Sequence, residues 1–328
     1  MLFSIIIATC DRPQRLAKTL AAVRVAVENS GEKHRLLVAD NGPDWNAAEV
    51  TAQFADSVDF PVSYLRCAPR DRCRALNRAV QAADTRWLAF TDDDTLPAAH
   101  WLKQAAAYAE KAACRIFGGR ILPGEPEGPL PKWLRADRTG RTPGHVIFVR
   151  YEPRDRSGIL GLDDPLPFGA NFFAEKSLFV RYGGLDESLY PLLGRAALGG
   201  DDTEFEARVR AHGECIGYCH EAVVIHPVHH ERANLRSQIR LAYEYGWRDP
   251  IVFFEPDRPL VEFYRWRQCF RWAWAAIADG VAGRSADAVA SLLKLARAMG
   301  EMRCRFSAAY RARAAEWRKR QTRTALAT

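Results

Sequence analysis

The chain has 328 residues, 48% hydrophobic and 27% charged, an ordinary globular composition that excludes disorder throughout and leaves room for a large domain with an appendage. Its net charge of +7 is carried by the stretch 303–328, where Arg303, Arg305, Arg311, Arg313, Arg318, Lys319, Arg320 and Arg323 stand against the single Glu316. The remainder is neutral overall, without a basic stripe for nucleic acid, and no apolar run approaches the ~20 residues needed to cross a bilayer.

The opening MLFSIIIATCDRP is apolar, lacks a basic leader region and meets Asp11 and Arg12 within a few residues, which predicts a buried first strand instead of a signal peptide. Strands are predicted at 3–8, 35–40, 62–67 and 86–92, and helices near 13–29, 45–56 and 71–83. This βαβαβαβ alternation predicts a parallel sheet covered on both faces, with ligands outside the carboxyl ends of its strands. Asp11 follows the first strand, Asp40 closes the second, and Asp92, Asp93 and Asp94 end the fourth, so acids converge on one edge. Helix capping uses one carboxylate at a time. Three adjacent ones repel each other and require either solvent or a cation. Neither G-x-G-x-x-G after the first strand nor G-x-x-x-x-G-K-[ST] anywhere is present, which argues against dinucleotide oxidoreductases and P-loop NTPases. Asp-x-Asp at a strand end instead suits a hard divalent cation that holds a diphosphate.

Further along, the Pro-rich LPGEPEGPLPKW ends in Trp133, which either lines an acceptor pocket or pins a long loop. Eight cysteines form no C-x-x-C and no zinc pattern with His226, His229 and His230, which predicts thiols in a reduced, cytoplasmic compartment, Cys215 and Cys219 buried among them. Beyond residue 230, FYRWRQCFRWAWAAI at 263–277 and AVASLLKLARAM at 288–299 read as helices. These either pack on the preceding part or, with the basic end, attach to an anionic membrane surface at the inner face of the cytoplasmic membrane.

The order of the motifs is more specific than any one of them. A-T-C-D-R at 8–12, Asp40-Asn41-Gly42, RALNRAVQAA at 74–83, and Asp92-x-Asp94 with Pro97, Trp101 and Leu102 come first. FGANFFAEKSLFVRYGGLDE at 168–187, GGDDTEFEARVRAHG at 199–213 and AVVIH at 222–226 follow. In this order they resemble the family-2 glycosyltransferases of the GT-A fold, inverting enzymes that use nucleotide sugars, over about residues 3 to 230. The resemblance implies an α/β, Rossmann-like, mixed and mainly parallel sheet flanked by helices. It implies 1–95 as the nucleotide-sugar half, 96–230 as the acceptor-binding and catalytic half, and 231–328 as a helical, basic extension. It further implies Mn2+ or Mg2+ on Asp92, Asp94 and His226, and a nucleoside-diphosphate sugar against Thr9, Asp11, Asp40, Arg74, Asn77, Asp92 and Asp93. A glycan or lipid-linked acceptor would meet Gly169, Ala170 and Asn171, with Trp133 as a further candidate. Asp202 inherits the role of general base, and Asp201 orients it or touches the acceptor. The chain departs from the pattern at Cys10 and Asp11, where tyrosine and asparagine are usual, at Leu76, where arginine is, and at Asp201, where glutamate is.

Transfer with inversion is a single in-line displacement: a base takes the acceptor hydroxyl proton while charge grows on the departing diphosphate. Three other classes stay open on the sequence. They are a two-metal nucleic-acid or phosphate-ester enzyme, a D-x-D-x-T phosphatase for which Thr95 stands one residue out of register, and a non-catalytic sugar-binding protein in which Asp201 and Asp202 are idle.

Overall fold

In the computed structural model, which describes residues 2–68, 70–111, 113–134, 147–189, 199–252 and 259–315 apart from the side chains of 259–264, the alternation read from the sequence is present in space. β1 (Phe3–Thr9), α1 (Pro13–Ser30), β2 (Arg35–Asp40), α2 (Ala48–Ala55), β3 (Val62–Arg66), α3 (Arg72–Ala82) and β4 (Trp87–Asp92) follow in turn. Local chemistry sets their ends. Pro13 opens α1 where no amide donor is needed, Gly31 closes it with φ 73°, and Asp71 caps α3 by accepting from the amide of Arg74 at 3.1 Å. Next come β5 (Leu96–Pro97), α4 (Trp101–Lys111), β6 (Ile116–Pro126), β7 (Gly158–Ile159), β8 (Phe172–Glu175), α5 (Lys176–Tyr182), α6 (Asp201–Ala211) and β9 (Gly217–Val228). The helices α7 (Leu235–Val252), α8 (Pro259–Val281) and α9 (Ser285–Arg305) end the series.

The strands form one mixed sheet in the order β3-β2-β1-β4-β8-β6-β9-β5, with β7 paired to β9. β3, β2, β1 and β4 are parallel, and their register sets Thr9 opposite Asp40 and Ala8 opposite Asp92, so these strand ends are level. β8 runs antiparallel to β4 with Phe172 opposite Phe90. The 3₁₀ turn Gly169–Asn171 that feeds β8 is thereby delivered to the end of β4, where the acids lie. Successive residues alternate between faces. Ile6, Leu37, Leu88 and Phe90 pack with Leu76, Leu178 and Phe205 on one side, while Ile5, Ile7, Leu36 and Val38 pack with Leu16, Leu20 and Trp101 on the other. Covering both faces is what makes consecutive positions of β1 apolar.

Contacts divide the chain into two units: 1–125 with 149–187 and 201–227, and 126–148 with 188–200 and 228–328. The first holds the core of the sheet and its acids. In the second, α7 and α9 approach closely: a Cβ at Gly246 would run into the carbonyl of Arg297, and one at Gly300 into the carbonyl of Tyr243. The basic end is not a solvated tail over its described part. Cys304 and Tyr310 are buried with Leu189, Ile251 and Val252. Arg313 donates to the carbonyl of Ile251 at 3.2 Å, and Arg303 to the Tyr243 hydroxyl at 3.0 Å. Glu316, Arg318, Lys319, Arg320 and Arg323 lie outside the described residues. All eight cysteines are thiols, Cys219 buried and Cys215 half-buried. No helix among the described residues is long and apolar enough to cross a membrane.

Candidate active site

The three aspartates at the end of β4 are answered by three arginines, Arg12, Arg15 and Arg72. Arg12, in the turn between β1 and α1, donates to Asp93 and to Asp94 at 3.1 Å each. Asp93 also accepts from the Thr9 hydroxyl at 2.8 Å, and burial pushes its pKa up to about 6 against the opposing pull of Arg12. Asp94 is buried as well, with Arg15 at 3.8 Å and Nε2 of His226 at 3.9 Å. Asp92 is about a third exposed and meets Arg72 at 2.9 Å. Nδ1 of His226 lies 3.0 Å from the carbonyl of Pro227, where it can only donate, which leaves Nε2 as the ring nitrogen turned toward Asp94. A carboxylate oxygen and an imidazole nitrogen at that spacing, the ring fixed from behind by a carbonyl, fit a divalent cation. Among the described residues, though, the ligand-type side chains that converge within 4.8 Å are Glu127, His229 and Glu231, all in the second unit. Asp92, Asp94 and His226 do not converge that tightly, because Asp92 turns to Arg72 and Asp94 to Arg12.

Gly199 and Gly200, with φ of 79° and 99°, turn the chain into α6, whose first turn carries Asp201, Asp202 and Glu204 near the positive end of the helix. Asp201 is buried and accepts from Arg72 at 2.5 Å, and the same guanidinium reaches Asp92 at 2.9 Å. Burial raises the pKa of Asp201 against the opposing charge of Arg72. Burial also works against the charge of Arg72, but Asp201, Asp92 and Asp202 outweigh it and hold the guanidinium protonated. Asp202 is half-buried. One of its oxygens accepts from the Gly169 amide, the other from the amide and hydroxyl of Thr203 at 2.8 and 3.2 Å. Leu76, Phe90, Phe172 and Leu185 complete the apolar wall of the hollow that Arg72, Gly169, Asp201 and Asp202 line. One turn along α6, Glu206 is fully buried with neither oxygen hydrogen-bonded, and its pKa is raised well above the usual carboxyl range, first by burial and then by the charge of Asp202.

Thr9, Asp92, Asp93, Asp94 and His226 therefore share one edge of the sheet, and through Arg72 that edge meets Asp201, Asp202 and Gly169. Asp11 stands beside them with φ 57°, its carboxylate 3.8 Å from Arg70. Other expected residues have different work. Asp40 is fully buried and accepts from the amides of Gly42 and Ala47 at 2.8 and 3.3 Å and from the Tyr64 hydroxyl at 2.7 Å. Its carboxylate shapes the loop after β2. Arg74 pairs with Glu187 at 3.2 Å, and Asn77 donates to the Leu185 carbonyl at 2.9 Å and accepts from its amide at 2.8 Å. Both hold the segment 185–187, whose Leu185 lines the hollow. The carbonyl of Ala170 accepts from Thr91 at 2.9 Å. Asn171 is fully buried, with its amide on the carbonyls of Arg120 and Ala222 and its oxygen on the indole of Trp101, so no polar group remains for an acceptor. Trp133 packs with Leu130, Leu134, Phe148 and Val228 in the second unit, as a loop anchor does.

Sequence reasoning missed Arg12, Arg72 and Glu206. A signal for Arg72 was present: it lies one helical turn before Leu76, the position where the motif has arginine, so the same face of α3 receives its guanidinium from one turn earlier.

A family model described as glycosyl transferase family 2 matches residues 4–176, more than half of the chain. The chain belongs to glycosyl transferase family 2. It is a glycosyltransferase, and members of this family generally depend on a divalent cation. The succinoglycan biosynthesis protein ExoM of Rhizobium meliloti (strain 1021) is 25% identical over 253 residues, covering 73% of this chain and 71% of its own. Two solved structures of S. aureus TarS 1-349, one with UDP and one with UDP-GlcNAc, match this family-2 chain with TM-scores of 0.51 and 0.52 at 14% and 13% identity. These matches cover 76% of this chain and 67% and 68% of theirs, whereas the chain spans 40% of the longer TarS chain. At such identity the likeness speaks for the fold, which is GT-A.

Proposed function

We propose that this family-2 enzyme moves a sugar, with inversion, from a nucleoside-diphosphate sugar to a hydroxyl of a glycan or lipid-linked glycan. The observation that carries the reading is the Arg72 guanidinium. It ties Asp92, at the end of β4, to Asp201, which is 129 residues from Arg72 in sequence, and so brings donor-side and acceptor-side acids to one hollow. Asp201 is buried and locked in that pair. Asp202 is half-exposed and aimed by the amides of Gly169 and Thr203, which makes it the carboxylate that takes the acceptor proton. A side chain at 169 would crowd this group: a Cβ there would lie 2.9 Å from an Asp202 oxygen. Asp94 and His226, with Asp92 beside them, are the residues that would hold Mn2+ or Mg2+. The cation supplies charge neutralisation for the departing diphosphate. Arg12 and Arg15, both paired to Asp94, add positive charge at the same edge. The nucleotide and nucleotide sugar bound to TarS, and the succinoglycan biosynthesis named for ExoM, support a nucleotide-sugar donor and a polysaccharide acceptor. The reaction is proposed to run at the cytoplasmic face of the membrane, where a lipid-linked acceptor lies.

The test separates catalysis from binding. With Mn2+ or Mg2+ and a panel of nucleotide sugars, released nucleoside diphosphate identifies the donor. Asp202→Asn should then lower transfer by about 10²–10⁴-fold while donor affinity stays within about twofold. Greater damage from Asp201→Asn would move the base one residue earlier, and full transfer by both variants would overturn this role for α6.

A further inference from the structure

The distribution of charge along the chain points to its basic end for contact with a membrane, yet Arg303, Arg305, Arg311 and Arg313 are engaged with the Tyr243 hydroxyl, the Tyr310 hydroxyl, the Phe306 carbonyl and the Ile251 carbonyl. A different surface of the second unit stands out. On α8, Trp266, Phe270, Trp274, Ile277 and Val281 are 51%, 72%, 74%, 61% and 86% exposed. At about 100° per residue these five fall within roughly 80° of the helix circumference, one continuous face. The opposite face is the one that packs: Cys269 meets Met302 at 3.4 Å, Arg265 pairs with Glu301 at 2.9 Å, and the Lys294 ammonium sits 4.5 Å from the Trp272 ring. A globular helix normally buries its apolar face. Here the packed side carries Arg265, Cys269 and Trp272, and over residues 265–281 the outward apolar face is left to solvent among the described residues.

We propose that this face of α8 docks on an anionic phospholipid bilayer, lying flat in the headgroup region. Charge decides between this occupant and a second copy of the chain. Exposed Arg267 and Arg271 border the apolar stripe, and the acid of this segment, Asp279, is turned to Arg284 at 2.6 Å. A two-fold contact through the stripe would bring the arginines of one copy toward those of the other, whereas lipid phosphates complement them. Tryptophan and phenylalanine with flanking arginine is also the composition that rests at the boundary between headgroups and acyl chains. No helix among the described residues is long and apolar enough to cross the bilayer, and the proposed contact lies along its surface. The inference deepens the proposed location of the enzyme and stands on α8 alone, independent of the sugar-transfer chemistry.

The experiment is flotation of the full chain with phosphatidylcholine vesicles, with and without phosphatidylglycerol. The wild type should float with the anionic vesicles, and Phe270→Glu with Trp274→Glu should lower the bound fraction at least about tenfold. Arg267→Gln with Arg271→Gln should weaken binding and flatten its salt dependence. Undiminished flotation of the Phe270/Trp274 variant, or no flotation of the wild type, overturns the proposal. So does a wild-type dimer that this variant turns into a monomer, which would make the stripe a self-association surface. The thermal shift with UDP and Mn2+, measured on the same proteins without vesicles, shows that the variants fold. Loss of that shift in the wild type with flotation intact would count against the transferase reading and leave the docking face standing.

Discussion

Glu206 sits in the helix that carries the proposed base, buried where its charge is disfavoured. Because its folded pKa lies above the unfolded value of about 4.5, its contribution to stability is complete below that value. It is lost as pH rises, by about 1.4 kcal/mol per pH unit, until the buried group itself ionises. Glu206→Gln carries no such proton. Denaturant unfolding at about pH 5.5 and about pH 7.5 should show the variant gaining on the wild type as pH rises. An unchanged difference would mean that Glu206 is not held protonated. At this scale the sequence exposes the acids and hides their partners. Asp92, Asp93 and Asp94 are conspicuous because adjacent like charges are unfavourable, whereas Arg12 and Arg72 look like any of the 47 Lys and Arg residues until the sheet register brings them to those acids. Asn171 misleads in the opposite direction. Its place in a motif suggests a ligand contact, but its amide joins the carbonyls of Arg120 and Ala222 across strands that no local pattern connects.

Strands β1 to β4 and the helices between them were legible because apolar runs of strand length alternate with segments of helical period. The antiparallel half of the sheet was not. β5 and β7 have two residues each, too few for any period, and β6 and β8 owe their pairing to partners distant in the chain. Packing also reverses what propensity predicts within a helix. An isolated α9 would gain about 1 kcal/mol from Gly300→Ala. In the fold, the added methyl meets the carbonyl of Tyr243 on α7, and backbone cannot swing aside as a side chain does. Gly300→Ala is therefore expected to destabilise by about 1–3 kcal/mol, read from thermal unfolding followed by circular dichroism. A raised melting temperature would show that α7 and α9 are not so close.

Across the whole molecule, the net charge says less than its placement. The charge excess lies in 303–328, but residues up to 315 include buried Cys304, Tyr310 and Ala314, each worth roughly 1.5–3 kcal/mol for a large apolar side chain and less for alanine. Deleting 303–328 should lower the melting temperature sharply or broaden the calorimetric transition, and an unchanged melt would show that these contacts add nothing. Such a deletion would confound a loss of membrane contact with a loss of structure, which the substitutions on α8 avoid. The shared arginines at the sheet edge set another property of the molecule. Arg12 is held by Asp93 and Asp94, and Arg72 by Asp92 and Asp201, so each of these four acids already faces a guanidinium before a ligand arrives. A bare cation meets acids that are occupied, and a bare diphosphate meets aspartates beside every arginine. On the proposed reading, each would remove the obstacle to the other when both are supplied: a diphosphate would draw the guanidiniums of Arg12 and Arg72, and a cation would be held by the carboxylates they release. The edge then works as a logical AND on the sign of charge. The melting shift with UDP and Mn2+ together should exceed the sum of the shifts with each alone, and a merely additive response would mean that the arginines never change hands.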